Sequence, residues 1–441
     1  MNSIQYKTDC RDIHRMAYPI LLNYVLSSVF ELLDKAIVGH YSVRGFAVVG
    51  IAASFTFAIT GALGILSAAF NIVAAGERGS CNEPKFESAF AVSKSLALLI
   101  GTVFFALSLL GGRFFFRHVY GIRGDDLSEL LSYFYPAAFT VIQNMLIFQY
   151  SAYFRNRLNT RITLYSTIVS TGVNLFFDYS LVYGFFGMPC LGTAGAAWGS
   201  VIGLAAGLLV YQLTYYRTGL PVKPALGHTA KEAAGKILRL YPSLFGQEML
   251  ESTIFACIVS AVVARLGTEQ MAVYNLLDTA GSAIGLPVYA YAAATQTYSL
   301  QSRSAGNMRA VRRYLKSGLF LTSLVIGLLC IFCRIFDRPL LQLIVTDDHI
   351  IQQAQRLLGL AFLLQFARIP YQIYMNYLQG IGREKYVLIG TAAGTACSGI
   401  GVIIAGNAAG LTGLYLVMAA ELCILGTCYI FRVRKSLLNP R

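Results

Sequence analysis

The sequence predicts an all-α integral membrane protein of about twelve transmembrane helices, arranged as two pseudo-symmetric six-helix bundles. Three observations predict it: a charge content too low for a water-facing surface, long runs free of charge, and two chain segments that open in the same way. Of the 441 residues, 56% are hydrophobic and only 13% charged, whereas a soluble chain is about a quarter charged. No Asp, Glu, Lys or Arg lies between Arg44 and Glu77, between Glu129 and Arg155, between Asp278 and Arg303, or between Lys385 and Glu421. Spanning a hydrocarbon core of ~30 Å with a helix takes roughly 20 apolar residues. Peptide groups find no water there, so only helices or closed barrels cross it, and these runs are too long and too evenly apolar for barrel strands.

Charge clusters and Gly, Pro and Asn punctuation place the helices near 17–39, 45–75, 90–112, 130–153, 162–184, 192–216, 238–264, 270–300, 315–334, 355–379, 386–407 and 410–431. Lys and Arg in short loops set the orientation, since they stay on the cytoplasmic side. With the N-terminus inside, the cytoplasmic segments hold clusters such as Arg155, Arg157 and Arg161, or Arg309, Arg312, Arg313 and Lys316. The opposite side collects only Arg44, Arg113, Arg117, Arg123, Arg265, Arg334 and Arg338. Both termini are therefore expected in the cytoplasm, as in a multi-pass protein of a bacterial inner (plasma) membrane. The polar start lacks a short apolar stretch ending in small residues, so helix one is expected to act as its own insertion signal.

The net charge of +14 then reads as cytoplasmic loops facing anionic headgroups and not as a nucleic-acid surface. Cys330 and Cys333 form a CxxC inside an apolar helix with no histidine near, which reads as packing rather than redox or metal chemistry. No metal-ligand cluster, His-centred constellation or sizeable soluble domain is visible, so an enzyme is not expected. The expected partners are the lipid bilayer and a small-molecule substrate, with the chain acting as a monomer and without a cofactor.

The two halves open alike. YPILLNYVLSSVFELLDKAIVG begins at Tyr18, and YPSLFGQEMLESTIFACIVS begins at Tyr241. Each is followed by a related second helix ending in a polar, Gly-containing turn, AAGERG from Ala74 and SAGNMR from Ser304. LGTAGAAWGS from Leu191 has its counterpart in AGLTGLYLVM from Ala409. The expected division is an N-lobe over 1–222 and a C-lobe over 223–441, joined by a basic linker. Parallel repeats of this kind surround a solute pathway more often than a catalytic centre.

Ionisable residues inside membrane helices cost several kcal/mol unless paired, neutralised or wet, which makes each one a functional candidate. Glu31 and Asp34 are three apart on helix one and share a face; both either enter the pathway or reach the outer headgroups. Lys35 points about 100° away from Asp34 and is expected to snorkel. On helix five, Asn174 and Asp178 are four apart, and Asp178 is the only charge between Arg161 and Arg217. Two carboxylates converging in a small space repel each other, which favours a proton held between them. The same oxygens, with the Asn174 amide and a hydroxyl, would suit a monovalent cation. In the second half Glu248 and Glu251 again share a face, as a substrate or second-cation group or as members of an internal ion pair. Asp278 either lines the pathway or pairs locally.

The stretch from Pro19 through FELLDKAIVGHYSVRGFAVVGIA, with Asp34 and Gly39, resembles helix one of the multidrug and toxic compound extrusion (MATE) family. TGVNLFFDYSLVYGFFGMPCLGTAGAAWGS resembles that family's Asn-x-x-x-Asp helix five and the Gly-rich approach to helix six. The resemblance implies a secondary antiporter with two six-helix lobes, exporting small amphiphilic cations in exchange for H⁺ or Na⁺. It maps the coupling-ion site onto Asp34, Asn174 and Asp178, with Ser200 as the hydroxyl, and these would also hold Na⁺. LESTIF at Glu251 resembles the acidic segment of one branch, but that branch's helix-ten aspartate is replaced by Arg368 in QFARIPYQIYMNYLQG. Arg368 would neutralise Glu251 or meet an anionic group of a substrate. The alternative function is a flippase for a lipid-linked or anionic amphiphile.

Overall fold

The computed structural model describes residues 3–217, 227–345 and 347–438, and within them leaves out the side chains of Ser3, Ile4, Glu31, Leu32, Lys35, Val43, Arg44, Phe46, Ala47, Val48 and Leu438. Every regular element among the described residues is helical. In chain order these are α1 (Ser3–Tyr41), α2 (Val43–Gly64), α3 (Leu66–Gly79), α4 (Glu83–His118), α5 (Gly124–Asn156), α6 (Arg161–Tyr183) and α7 (Thr193–Arg217). The second half has α8 (His228–Glu248), a π-helical segment over Met249–Phe255, α9 (Ala256–Arg265), α10 (Thr268–Ser304), α11 (Met308–Ile335), the short α12 (Asp337–Gln342), α13 (Asp348–Gly380) and α14 (Glu384–Leu438).

Seven of these stretches are long and apolar enough to cross a membrane by length and composition. The other long helices, α1, α6, α10 and α13, are interrupted by polar side chains, the predicted site residues Asp34, Asn174, Asp178, Asp278 and Arg368 among them. Two expected spans, 386–407 and 410–431, run together as α14, which breaks at Gly410 with φ 59° and ψ −143°. Only glycine adopts that backbone conformation readily. With α2–α3 and α8–α9 each taken as one span, the helices match the expected twelve. Two features carry no signal in the apolar pattern: the interruption at Ile65 and the π-helical segment around Glu251.

Packing divides the chain into two units. One comprises residues 22–78 and 82–241; the other comprises the start of the chain through Leu21, Gly79–Cys81 and Pro242–Arg441. The expected boundary between residues 222 and 223 lies outside the described residues. Each lobe thus includes the opening of the helix that the other continues, and both changeovers fall at or just after the repeated Tyr-Pro, Tyr18-Pro19 and Tyr241-Pro242. In the C-terminal unit the start of α1 is held by an Arg313 Nε to Asp9 Oδ2 ion pair of 2.8 Å and a His14 Nδ1 to Tyr291 hydroxyl contact of 2.7 Å. In the N-terminal unit the start of α8 is held by Lys236 to Glu77 at 3.0 Å and Lys85 to Glu232 at 3.3 Å.

The N-terminal unit packs α2, α4 and α5 around Val49, Ala52, Phe116, Leu130 and Phe134. The C-terminal unit buries Val259, Val273, Leu358, Val402 and Leu414 from α9, α10, α13 and α14. Lipid tails are as apolar as these side chains, so association in a bilayer rests on van der Waals fit and interhelical polar contacts. Small residues let backbones approach most closely, and α7 supplies Gly195, Gly199, Gly203 and Gly207 along one face against α6.

Candidate functional site

The glycine face of α7 determines where α6 places its polar pair. A Cβ at Gly199 would lie 1.9 Å from Asp178 Oδ1 and 2.7 Å from the Asp178 nitrogen, and one at Gly203 would lie 2.5 Å from Asn174 Cβ. Any side chain at these two positions would push α6 away, so the glycines set the depth of the carboxylate. Asp178 is fully buried (0% exposed). Asp34 of α1 and Asn174 are within interaction range of its carboxylate, and Tyr133 of α5 is within range of both aspartates. The Asn174 Nδ2 donates to Ser200 Oγ at 3.2 Å, and Gln143 of α5 donates to the next carbonyl, Val201 O, at 3.0 Å. The four predicted coupling residues, Asp34, Asn174, Asp178 and Ser200, therefore meet in one unit.

Among the described residues no N–H or O–H donor reaches hydrogen-bond geometry with either Asp178 oxygen. Burying a charge without a partner is costly, so such a carboxylate is held in place by packing and gains by taking a proton or a cation. Glu87 of the same unit shows the contrast. It is 1% exposed and accepts from Tyr153 at 2.7 Å, Tyr215 at 3.1 Å and Arg157 at 2.6 Å. That saturation makes Glu87 a structural group.

Glu251 lies in the π-helical segment of the C-terminal unit, and insertions of this kind re-aim side chains at functional sites. Its Oε1 accepts from Gln247 at 2.8 Å, from Thr391 at 3.3 Å and from the Tyr371 hydroxyl. Gln379 in turn donates to Gln247 Oε1 at 2.6 Å. Glu421 of α14 lies near Glu251 and Ser398, and its Oε1 occupies the space where Gly394 has no side chain. Glu248 accepts from Ser252 at 2.6 Å one turn away and does not join that web. Arg368 does not neutralise Glu251: no ion pair joins them among the described residues, and its Nη1 instead donates to the Tyr289 hydroxyl at 3.3 Å. Asp278 has Arg368 within electrostatic range. The side chain of Glu31, like that of Lys35, lies outside the described residues.

Sequence reasoning missed Tyr133, Gly199 and Gly203 in the first lobe, and Gln247, Tyr371, Thr391 and Glu421 in the second. Most of these are neutral and leave the apolar pattern intact. Glu421 carried a signal, since it ends the charge-free run that begins at Lys385.

The MatE family model matches residues 19–180 and again 243–404, so one pattern covers each half and the two halves are repeats. The chain is 25% identical over 367 residues to the Bacillus subtilis protein named "Probable multidrug resistance protein YoeA", spanning 79% of this chain and 76% of that one. It is 22% identical over 380 residues to the Thermotoga maritima protein named "Probable multidrug resistance protein NorM", spanning 84% and 80%. Its fold is similar to that of a variant of the Vibrio cholerae MATE transporter VcmN, with TM-score 0.87 at 16% identity over 99% of this chain and 98% of that one. An outward-facing multidrug resistance MATE transporter gives TM-score 0.85 at 16% identity, again over 99% and 98%.

Proposed function

The chain belongs to the MatE family, and we propose that it is a secondary antiporter that exports small amphiphilic organic compounds in exchange for H⁺ or Na⁺ at Asp34 and Asp178. The observation that carries this reading is Asp178, wholly buried, without a hydrogen-bond donor among the described residues, and within interaction range of a second carboxylate. A proton shared by the pair, or a monovalent cation held by their oxygens with Asn174 and Ser200, relieves the repulsion. Loss of that ion would alter the packing of α1 against α6, and so bias the inward-open and outward-open states. A ligand shifts such an equilibrium only through its differential affinity for the two states. The named multidrug resistance relatives support export of foreign organic compounds as the task.

The test uses the full chain in proteoliposomes, with efflux of a panel of organic cations driven by an imposed proton gradient and then by an imposed sodium gradient. One gradient is expected to drive transport. Asp34→Asn and Asp178→Asn are each expected to abolish it while the protein elutes as a single folded species. Full transport by both variants would remove the proposed mechanism. For orientation, positive-inside charge supports cytoplasmic termini, and protease access to a C-terminal tag in sealed inside-out vesicles checks it.

A further inference from the structure

The face of α10 that carries Asp278 has a composition the ion exchange does not use. Tyr274, Asp278, Gly285 and Tyr289 follow one another at helical spacing on one side of α10. Against it α13 brings Gln365 and Arg368, one turn apart. Gly285 sits between the two: a Cβ there would lie 2.7 Å from Gln365 Oε1 and 3.8 Å from Arg368 Nη1. Gln365 is 4% exposed and its Oε1 has no hydrogen-bond donor among the described residues.

Asp278 and Arg368 are opposite charges within electrostatic range of each other and of Tyr274. They nevertheless form no ion pair among the described residues; Arg368 donates to the Tyr289 hydroxyl instead. Two charges of opposite sign that share a neighbourhood and stay apart present a dipole to whatever enters. A guanidinium is the side chain best shaped for a carboxylate or phosphate. A carboxylate flanked by tyrosine rings suits an organic ammonium, through charge and through attraction to the ring faces.

We infer that α10 and α13 form a receptor for zwitterionic amphiphiles, with Arg368 taking the substrate's anionic group and Asp278 its ammonium. This rests on the transporter reading above and names the substrate class for it. A purely cationic solute would meet Asp278 but also the unpaired Arg368, which works against it; a purely anionic one meets the reverse. Specificity is a difference between such terms, and the repulsive term does as much as the attractive one.

The test compares three radiolabelled probes on one skeleton in proteoliposomes holding the full chain: 4-(trimethylammoniomethyl)benzoate, benzyltrimethylammonium and 4-methylbenzoate. The expected result is that the zwitterion is moved with a KM at least tenfold below that of either singly charged probe. Arg368→Gln is expected to raise the KM for the zwitterion about tenfold, as loss of one charged hydrogen-bonded contact does, while improving the cation. Arg368→Lys is expected to recover part of the loss. Asp278→Asn is expected to weaken the zwitterion and the cation but not the anion. A wild-type preference for the plain cation overturns the inference and leaves the transporter reading standing, even if every variant fails to fold. Transport of none of the three probes, nor of any member of the cation panel, under either gradient overturns the transporter reading itself.

Discussion

The two lobes bury a carboxylate by opposite means. In the first, Asp178 sits against bare glycine backbone and no donor among the described residues satisfies its oxygens. In the second, Glu251 is wrapped by Gln247, Thr391 and Tyr371, three donors on one oxygen. A hydrogen bond to a charged group contributes about 1.5–3 kcal/mol, so the wrapped carboxylate rests in its web, whereas the bare one needs a proton or a cation. Duplication supplied the same helices twice, and the difference lies in what each helix places beside the acid. Under the function proposed above, the exchange is expected where the acid is left unsatisfied.

The sharpest way to break this comparison is to remove the bare backbone. Gly199→Ala would put a methyl 1.9 Å from Asp178 Oδ1 and 2.7 Å from the Asp178 backbone nitrogen; the carboxylate can rotate away, but the backbone contact is relieved only if α6 and α7 separate. Overpacking of this kind costs about 1–3 kcal/mol or more. We expect gradient-driven efflux to be lost and the melting temperature to fall. Gly394→Ala in the second lobe meets Glu421 Oε1 at 2.9 Å, the far end of a flexible side chain, and should retain most of its activity. Gly172→Ala, with nothing within 4 Å of the added carbon, is the control expected to behave as the wild type. Equal damage from Gly199→Ala and Gly394→Ala would mean that the lobes are not distinguished by the close approach of backbone.

A smaller effect is expected at Glu251. Glu251→Gln keeps an oxygen to accept from Tyr371 and Thr391, so transport should be slowed rather than abolished, in contrast to Asp178→Asn. The pair Glu251→Gln and Tyr371→Phe, measured singly and together by thermal unfolding in detergent, should couple by about 1–3 kcal/mol. Additive losses would show that the short contact between them contributes little. Loss of all efflux in Glu251→Gln would move the ion exchange into both lobes.

These contrasts also mark what could be read in advance. Asp34, Asn174 and Asp178 were legible because a charge or an amide inside an apolar run has no cheap explanation in a membrane. The Tyr-Pro openings were legible as a repeat, and the family pattern matches twice at the same places. The junction near Gly410 was legible from its glycine and asparagine residues, and two helices meet there across the non-helical Gly410. Tyr133, Tyr371 and Thr391 were not legible, because a tyrosine or threonine fits a membrane helix whether or not it touches an acid. Their partners lie on other helices, and helical spacing says nothing across helices. Arg368 is expected from the sequence to face Glu251 or a substrate anion; in the structure it donates to Tyr289 of α10 and forms no ion pair with Glu251 among the described residues.

The smallest effects are expected where each lobe holds the opening of the other half's first helix, and there the comparison can be made more exacting. Both anchors are ion pairs, but their surroundings differ. Asp9 is buried while Arg313 is partly exposed, whereas Lys236, which reaches Glu77, is 45% exposed, and Lys85 and Glu232 are each more than a third exposed. Removing one partner from a buried pair leaves a charge without its counter-ion, while an exposed pair contributes about 0–1 kcal/mol. Asp9→Asn should therefore lower the unfolding temperature more than Lys236→Gln does. The deficit in Lys236→Gln should vanish as salt is raised toward 1 M, where the Debye length falls to about 3 Å, and that in Asp9→Asn should persist. The reverse order would mean that the start of α8, not the start of α1, is the more tightly held of the two.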